Sequence, residues 1–411
     1  MNALRSALCV GATIAMLAGC GGLSGAPLSP SLARPSAALR ITAAKRTGVR
    51  PATYGVIYSF KGGSGDGGNP YSGLINVNGS FYGTTAIGGT KTVGTVFVVT
   101  ASGSETPLHS FTGSRGGADP KADLAYISGT FYGTTTGGMY SEGTVFTYLS
   151  GKQATLHQFT GKDGATPTAA ISHANGLLYG TTAYGGAYRL GTAFSISSSG
   201  REHVLHSFGK YGSGDGANPV SALHDLAGTL YGTTTYGGKY GVGTVYAIPP
   251  SGLEHVIWSF KGGPKDGALP AAGVINIAGS DGTLYGTTEN GGVDDAGTVY
   301  AVSTSGAERV VYSFQGGKNG KYPVAEVINV NGTFYGTTAA GGMNGKGTVF
   351  AISSSSRETV LHSFGSSSTD GAGPQSRLLN VNGILYGTTV HGGTGTSCPG
   401  DRCGTVFSIS P

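Results

Sequence analysis

Four histidines, His109, His157, His206 and His362, look at first like a metal-binding set. Each stands two residues before a phenylalanine, and Tyr58, Trp258 and Tyr312 occupy the same slot elsewhere. A position that takes His, Tyr or Trp asks for an aromatic ring, alternating at period two with residues such as Val204 and Phe208 on a strand. Packing is therefore expected there, and no metal. Asp66, Asp163, Asp215, Asp266 and Asp370 each precede a glycine, with Asn319 in one further copy. Asp-Gly and Asn-Gly are turn formers, and a single carboxylate per copy falls short of the six to eight oxygens calcium takes.

Carboxylates cluster once, as Glu289, Asp294 and Asp295 in the segment ENGGVDDAG. Such acids could hold a cation, or act as a pair across a glycosidic bond. No nucleophile elbow, phosphate-binding loop or His-Glu-x-x-His signature accompanies them, so a solvated acidic loop is the expectation. Cys398 and Cys403 enclose Pro399 and Gly400, a spacing suited to a small-loop disulfide in an oxidising compartment. His391, seven residues upstream, keeps a metal alternative open. No cofactor is expected.

The elements that must position these residues repeat. Tyr-Gly-Thr-Thr begins at Tyr82, Tyr132, Tyr179, Tyr231, Tyr285, Tyr335 and Tyr386. The mean period is about 51 residues, close to kelch-like and WD-type propeller blades. After each comes Gly-Thr-(Val/Ala)-(Phe/Tyr), from Gly94 to Gly404, then a strand ending in Phe, then a proline. Each unit reads as four short strands rich in β-branched and aromatic residues, split by Asn-Gly and Ser-Gly turns. The spacing predicts an all-β, seven-bladed β-propeller of four-stranded blades over 54–411. The body opens on a lone fourth strand (Val56 to Phe60) and stops after a third (Gly404 to Ser410). One N-terminal strand plus three C-terminal strands would therefore close the ring.

The recurring LYGTT, GG, GTVF and HSF elements resemble the GloVer tandem-repeat family of exported, variably anchored bacterial proteins. That resemblance covers about residues 54–411 and implies export and anchoring, with no activity attached.

Composition narrows the class. There are 77 glycines, 17 prolines and only 11% charged residues, which excludes coiled coils and helical bundles. Arg5 and the five cations Arg34, Arg40, Lys45, Arg46 and Arg50 precede the repeats, with no acid among them. Without these six charges the net of +5 becomes −1 for 54–411. A body so balanced offers no basic groove, and nucleic acid is rejected as a partner. Residues 1–19 have the pattern of a secretory signal, an arginine and a short apolar run. The ending Leu17-Ala18-Gly19-Cys20 resembles the lipobox of bacterial lipoproteins, which implies cleavage before Cys20 and its lipidation. Gly21, not Asp, follows, so the resemblance leans toward the outer membrane, periplasmic or surface-facing. Residues 20–53 read as a Pro/Ser/Ala-rich tether.

Alternation of strands places the second-to-third and fourth-to-first loops, the long ones, at one end of the ring. Function concentrates on such loops. Seven tyrosines outside the recurring slots fall there: Tyr140, Tyr184, Tyr188, Tyr211, Tyr236, Tyr240 and Tyr322. Five come from three consecutive copies: Tyr140, Tyr184, Tyr188, Tyr236 and Tyr240. They either cover glycine-rich backbone or offer flat rings with polar tips to a sugar or peptide. The reading reached is a monomeric, lipid-anchored propeller that binds a glycan, or failing that a protein, through its long-loop face. The competing readings are a polysaccharide hydrolase or lyase on the same face and a purely structural scaffold.

Overall fold

The repeat motifs have direct structural causes in the computed structural model, which describes residues 52–209, 214–277, 281–400 and 402–411. In Tyr-Gly-Thr-Thr the glycine lies under the third-strand ring of its own blade. A Cβ on Gly83 would sit 2.7 Å from the Phe97 ring, and Gly133, Gly180, Gly232, Gly286, Gly336 and Gly387 repeat this arrangement. The second threonine pairs by hydroxyl with the threonine of Gly-Thr-(Val/Ala)-(Phe/Tyr) in all seven copies, at 2.7–2.9 Å. The first threonine reaches out of its blade. Its hydroxyl donates to a backbone carbonyl of the next blade, from Thr84 to Ala122 through Thr337 to Ser376, and Thr388 to Ser72 completes the circle. A belt of seven buried hydrogen bonds thus runs around the ring, at 2.7–3.2 Å.

Each blade is an antiparallel sheet of four strands in sequence order. Blade 1 runs Ile75–Val77, Ser80–Thr85, Thr95–Thr100 and Glu105–Ser110. The first strands contact one another around the axis and are innermost. Blade 7 is built from Leu379–Val381, Ile384–Thr389 and Thr405–Ser410, with Thr53–Ser59 as its outermost strand. The expected closure is therefore the observed one, with Thr53 opposite Ser410 and Ser59 opposite Thr405. The helical pieces described are two 3-10 turns, Ser114–Gly116 and Gly317–Asn319.

The hydrophobic core lies between blades. Each outer-strand phenylalanine, Phe60, Phe111, Phe159, Phe208, Phe260, Phe314 and Phe364, is fully buried. Each meets the third-strand ring of the following blade, as Phe60 meets Phe97 edge-on at 5.0 Å. Every third-to-fourth pairing shifts register at one place, for example between Val96 and Phe97. Such a bulge turns the strand, and here it precedes the His/Tyr/Trp slot.

Cys398 and Cys403 form a disulfide, as expected from their spacing. It sits in the closing seam, packed with Phe60, Leu74 and Val406. Gly62 pairs with Ser397 there, and side chains at Gly62 or Gly68 would run into the Cys398 sulfur. Closing so short a loop contributes about 2 kcal/mol by chain entropy. The Cys398→Ala/Cys403→Ala double variant should melt a few degrees below the parent, and reductant should bring the parent toward it. Equal melting temperatures would contradict a stabilising role.

Candidate functional site

The two kinds of long loop are pinned together at one end of the ring. Gly67–Gly68 pairs with Ile87–Gly88, Gly216–Ala217 with Tyr236–Gly237, Gly267–Ala268 with Asn290–Gly291, and Gly371–Ala372 with His391–Gly392. Single bridges at Ala118–Gly137, Ala165–Tyr184 and Lys321–Ala340 complete the set of seven. Each second-to-third loop is thereby held against the loop that enters its own blade.

Tyr140, Tyr184, Tyr188, Tyr236 and Tyr240 project from these loops in blades 2, 3 and 4, and all five are 45–55% exposed. Tyr240 has Lys239 and Lys261 within 5.4 and 5.9 Å of its ring centre. Beside Tyr184 runs a groove of about 480 Å³ lined by Glu142, Thr160, Lys162 and Arg189. Tyr322 is half-buried, and Tyr211 lies outside the described residues. So do the signal 1–19, Cys20 and almost all of the tether 20–53.

The histidine slot proves to be a polar junction between blades. Tyr58 donates its hydroxyl to Asp66 at 2.7 Å, and the ring nitrogens of His157, His206 and His362 lie 2.9–3.1 Å from Asp163, Asp215 and Asp370. The aspartates also cap their own turns, as Asp66 does for Lys61 and Gly67. Thus the slot selects a ring with a polar tip, a requirement beyond packing alone. His109 has Gly116 where five other copies have an aspartate and one has Asn319, and burial alone pushes its imidazole down. Six residues before each phenylalanine stands a further partner: Glu105, Gln153, Glu202, Glu254, Glu308 or Glu358, and Tyr54 in blade 7. In each of the six acid or amide copies one side-chain atom is buried without a hydrogen bond. Burial, reinforced by the neighbouring aspartate, pushes Glu105, Glu202, Glu254 and Glu308 up to about 7.

His157, Asp163 and Glu202 form a cluster with ligand atoms within 4.8 Å of one another, as do His206, Asp215 and Glu254. The same junction is built from Tyr58, Asp66 and Glu105, and from Trp258, Asp266 and Glu308. The slot thus takes rings that are not metal ligands in other copies, and the indole Nε1 of Trp258 is buried without a hydrogen bond.

In the acidic loop, Asp294 and Asp295 are exposed and Glu289 is half-buried. Desolvation pushes Glu289 up. Asp295 accepts the Gly291 N–H at 2.7 Å, spending its carboxylate on the turn.

A second constellation, absent from the candidates drawn from sequence, stands at the mouth of the central channel. Three residues beyond the recurrent proline the seven copies carry Gly73, Asp123, Ala170, Ala222, Gly273, Glu326 and Arg377. Compared across the copies, the slot shows why it varies: Gly73 and Gly273 clear room for the charged residues of other copies. Arg377 reaches across Gly73 to Asp123, Nε to Oδ2 at 2.6 Å, while the Gly73 N–H donates to Asp123 Oδ1. Glu326 leans over Gly273, where any Cβ would strike its carboxylate. These charges, with Lys121, Thr168 and His224, line a cavity of about 350 Å³. Desolvation pushes Glu326 up, Arg377 opposing and Asp123 adding to the shift. Comparing one slot across the seven units is the signal that would have found them.

Seven four-stranded blades, a closed seam and long loops pinned at one end define a β-propeller of repeated units. Within that class, the chain belongs to the Gloeobacter/Verrucomicrobia repeat family, which matches residues 46–246 and 222–411. No protein of curated function matches it in sequence. Among solved structures it is similar to TolB from Acinetobacter baumannii, 13% identical with a TM-score of 0.36, over 64% of this chain and 58% of that one. It is similar also to PorZ, a surface component of the type-IX secretion system of Porphyromonas gingivalis, 14% identical with a TM-score of 0.51, over 85% and 47%. An oligogalacturonate lyase from Vibrio parahaemolyticus is 8% identical with a TM-score of 0.48, over 88% and 97%. The matches thus take in only about half the length of the first two. At such identities the likeness extends to the fold alone.

Proposed function

We propose that this protein is an exported binding module, anchored to the outer membrane through a lipid on Cys20, whose long-loop face engages a glycan. The observation that carries the reading is the exposure of five tyrosines from three neighbouring blades, on loops held by backbone ladders. A tyrosine ring offers an apolar face to a sugar ring and a hydroxyl to its edge, at little entropic cost because only two side-chain torsions are fixed. The groove beside Tyr184 adds charged hydrogen-bonding groups of both signs within the same patch. Glycoside cleavage by Glu289 with Asp294 or Asp295 has less behind it, because Asp295 is committed to its own turn.

A glycan array probed with the full chain and with Tyr184→Ala/Tyr236→Ala tests the reading. Binding by the parent that falls at least about tenfold in the double variant is the expected result, since exposed aromatic anchors dominate such contacts. Failure of the parent to bind any glycan would turn the reading toward a protein ligand on the same face.

A further inference from the structure

At the channel mouth the cations are already matched. Lys121 lies 2.9 Å from Asp119, and Arg377 is engaged with Asp123. Glu326 lies within the field of Arg377, yet among the described residues its carboxylate accepts no hydrogen bond. Thr168 lines the same cavity with a buried hydroxyl that is likewise unpartnered. The guanidinium of Arg377 spends only Nε on Asp123, leaving its two Nη groups without a hydrogen bond in the described structure. The unmet demand at the mouth is therefore a hydrogen-bond donor for Glu326, met best by a cationic one, and acceptors for the free Nη groups of Arg377. A volume near 350 Å³ is of the size that takes about one or two sugar rings.

Resting on the glycan-binding reading above, we propose that the channel mouth is a subsite for an amino sugar with a free, protonated amine, its ammonium paired with Glu326 and its hydroxyls reaching Arg377. Acetylation of that amine removes the charge and replaces a donor cluster with a methyl group, and a neutral sugar leaves Glu326 unmatched. Both are discriminated against for the same reason, a half-buried carboxylate left without a charged hydrogen-bond donor. Gly273 belongs to the subsite because its missing side chain is what lets Glu326 lie where it does.

The test is calorimetric titration of the full chain with three disaccharides: a glucosamine dimer, its di-N-acetyl form and cellobiose. The free amine should bind at least about tenfold more tightly than the other two, as a charge-assisted contact in a partly desolvated site does. Glu326→Gln should abolish that preference at an unchanged melting temperature. Gly273→Ala, which displaces the carboxylate without removing it, should weaken the preference too. Equal affinities for the three sugars, or a preference that survives Glu326→Gln, would overturn the assignment. Tyr184→Ala/Tyr236→Ala should lose array binding yet keep the disaccharide preference. An array failure with that preference intact sinks the surface reading alone, whereas array binding without the preference sinks the subsite alone.

Discussion

A chain from which residues 52–60 are removed will not form a monomeric closed ring. Those residues supply the outermost strand of blade 7, and their loss leaves Thr405–Ser410 as an unpaired edge. They also supply Phe60, wholly buried against Phe97, and Tyr54, whose ring stacks on His362 at 3.6 Å and whose hydroxyl donates to Asp370. Truncating one such phenylalanine to alanine typically costs about 3–5 kcal/mol. Removing the strand adds its ladder and uncovers the core of blade 7 at Phe407 and Ile409, so the sum rivals the roughly 5–15 kcal/mol by which a domain is stable at all. An exposed apolar edge also recruits other chains, so soluble oligomers or aggregates are the expected product. Gel filtration and thermal unfolding of the deleted chain decide it. A monomer melting within a few degrees of the parent would show that the strand is dispensable and that closure rests on the Thr388–Ser72 hydrogen bond and the disulfide instead.

The ring was legible in the sequence because each blade repeats the same physical problem. Gly387 must clear Phe407, and Gly404 must clear Pro70 of the next blade, and the other six copies meet the same constraints. Spacing exposes such constraints directly. The closing strand was legible for a different reason: a fourth strand without its blade at one end and a blade without its fourth strand at the other. The aspartate turns were half legible. Asp-Gly marks a turn, but the bond from Tyr58 to Asp66 joins an outer strand to the loop that follows it, and no local pattern reports it. The channel mouth was hidden by distance along the chain. Asp123 and Arg377 are 254 residues apart, and a lone charge inside a repeat reads as a solvated face until the fold stacks its slot around an axis.

Folding stability will fall as pH rises from about 4.5 to about 7, the reverse of the usual acid denaturation. The cause is the row of glutamates between blades. Glu105, Glu202, Glu254 and Glu308 titrate near 7 in the folded protein because burial, with a neighbouring aspartate, disfavours their charged form. In the unfolded chain they titrate near the ordinary 4.5. Between those values the native state holds more protons than the unfolded state, so the slope of stability against pH is negative, and the loss is complete above the folded pKa. Each whole shift would correspond to about 3 kcal/mol, but these side chains are half-buried, and screening reduces a realistic figure to about 1 kcal/mol apiece, about 4 kcal/mol for the four. Asp163 works at the other end. Burial opposes its ionisation, yet hydrogen bonds from His157 and Thr160 outweigh it and hold its carboxyl near 2, so its contribution is present above the ordinary carboxylate range and is lost as pH falls toward 2. Burial of His109, which pushes its imidazole down, adds a smaller loss below neutrality. The resulting optimum lies near pH 4–5. Urea unfolding at pH 4.5, 6 and 8 measures the slope, and the quadruple Glu→Gln variant at positions 105, 202, 254 and 308 isolates its source. That variant should lose most of the parent's fall across the window and be more stable than the parent at pH 8, because Gln153 already places an amide in the same slot in blade 2. A parent whose stability is level or rising from pH 4.5 to 8 would mean that water or a bound cation satisfies the glutamates, and that the junctions are not the proton store described here.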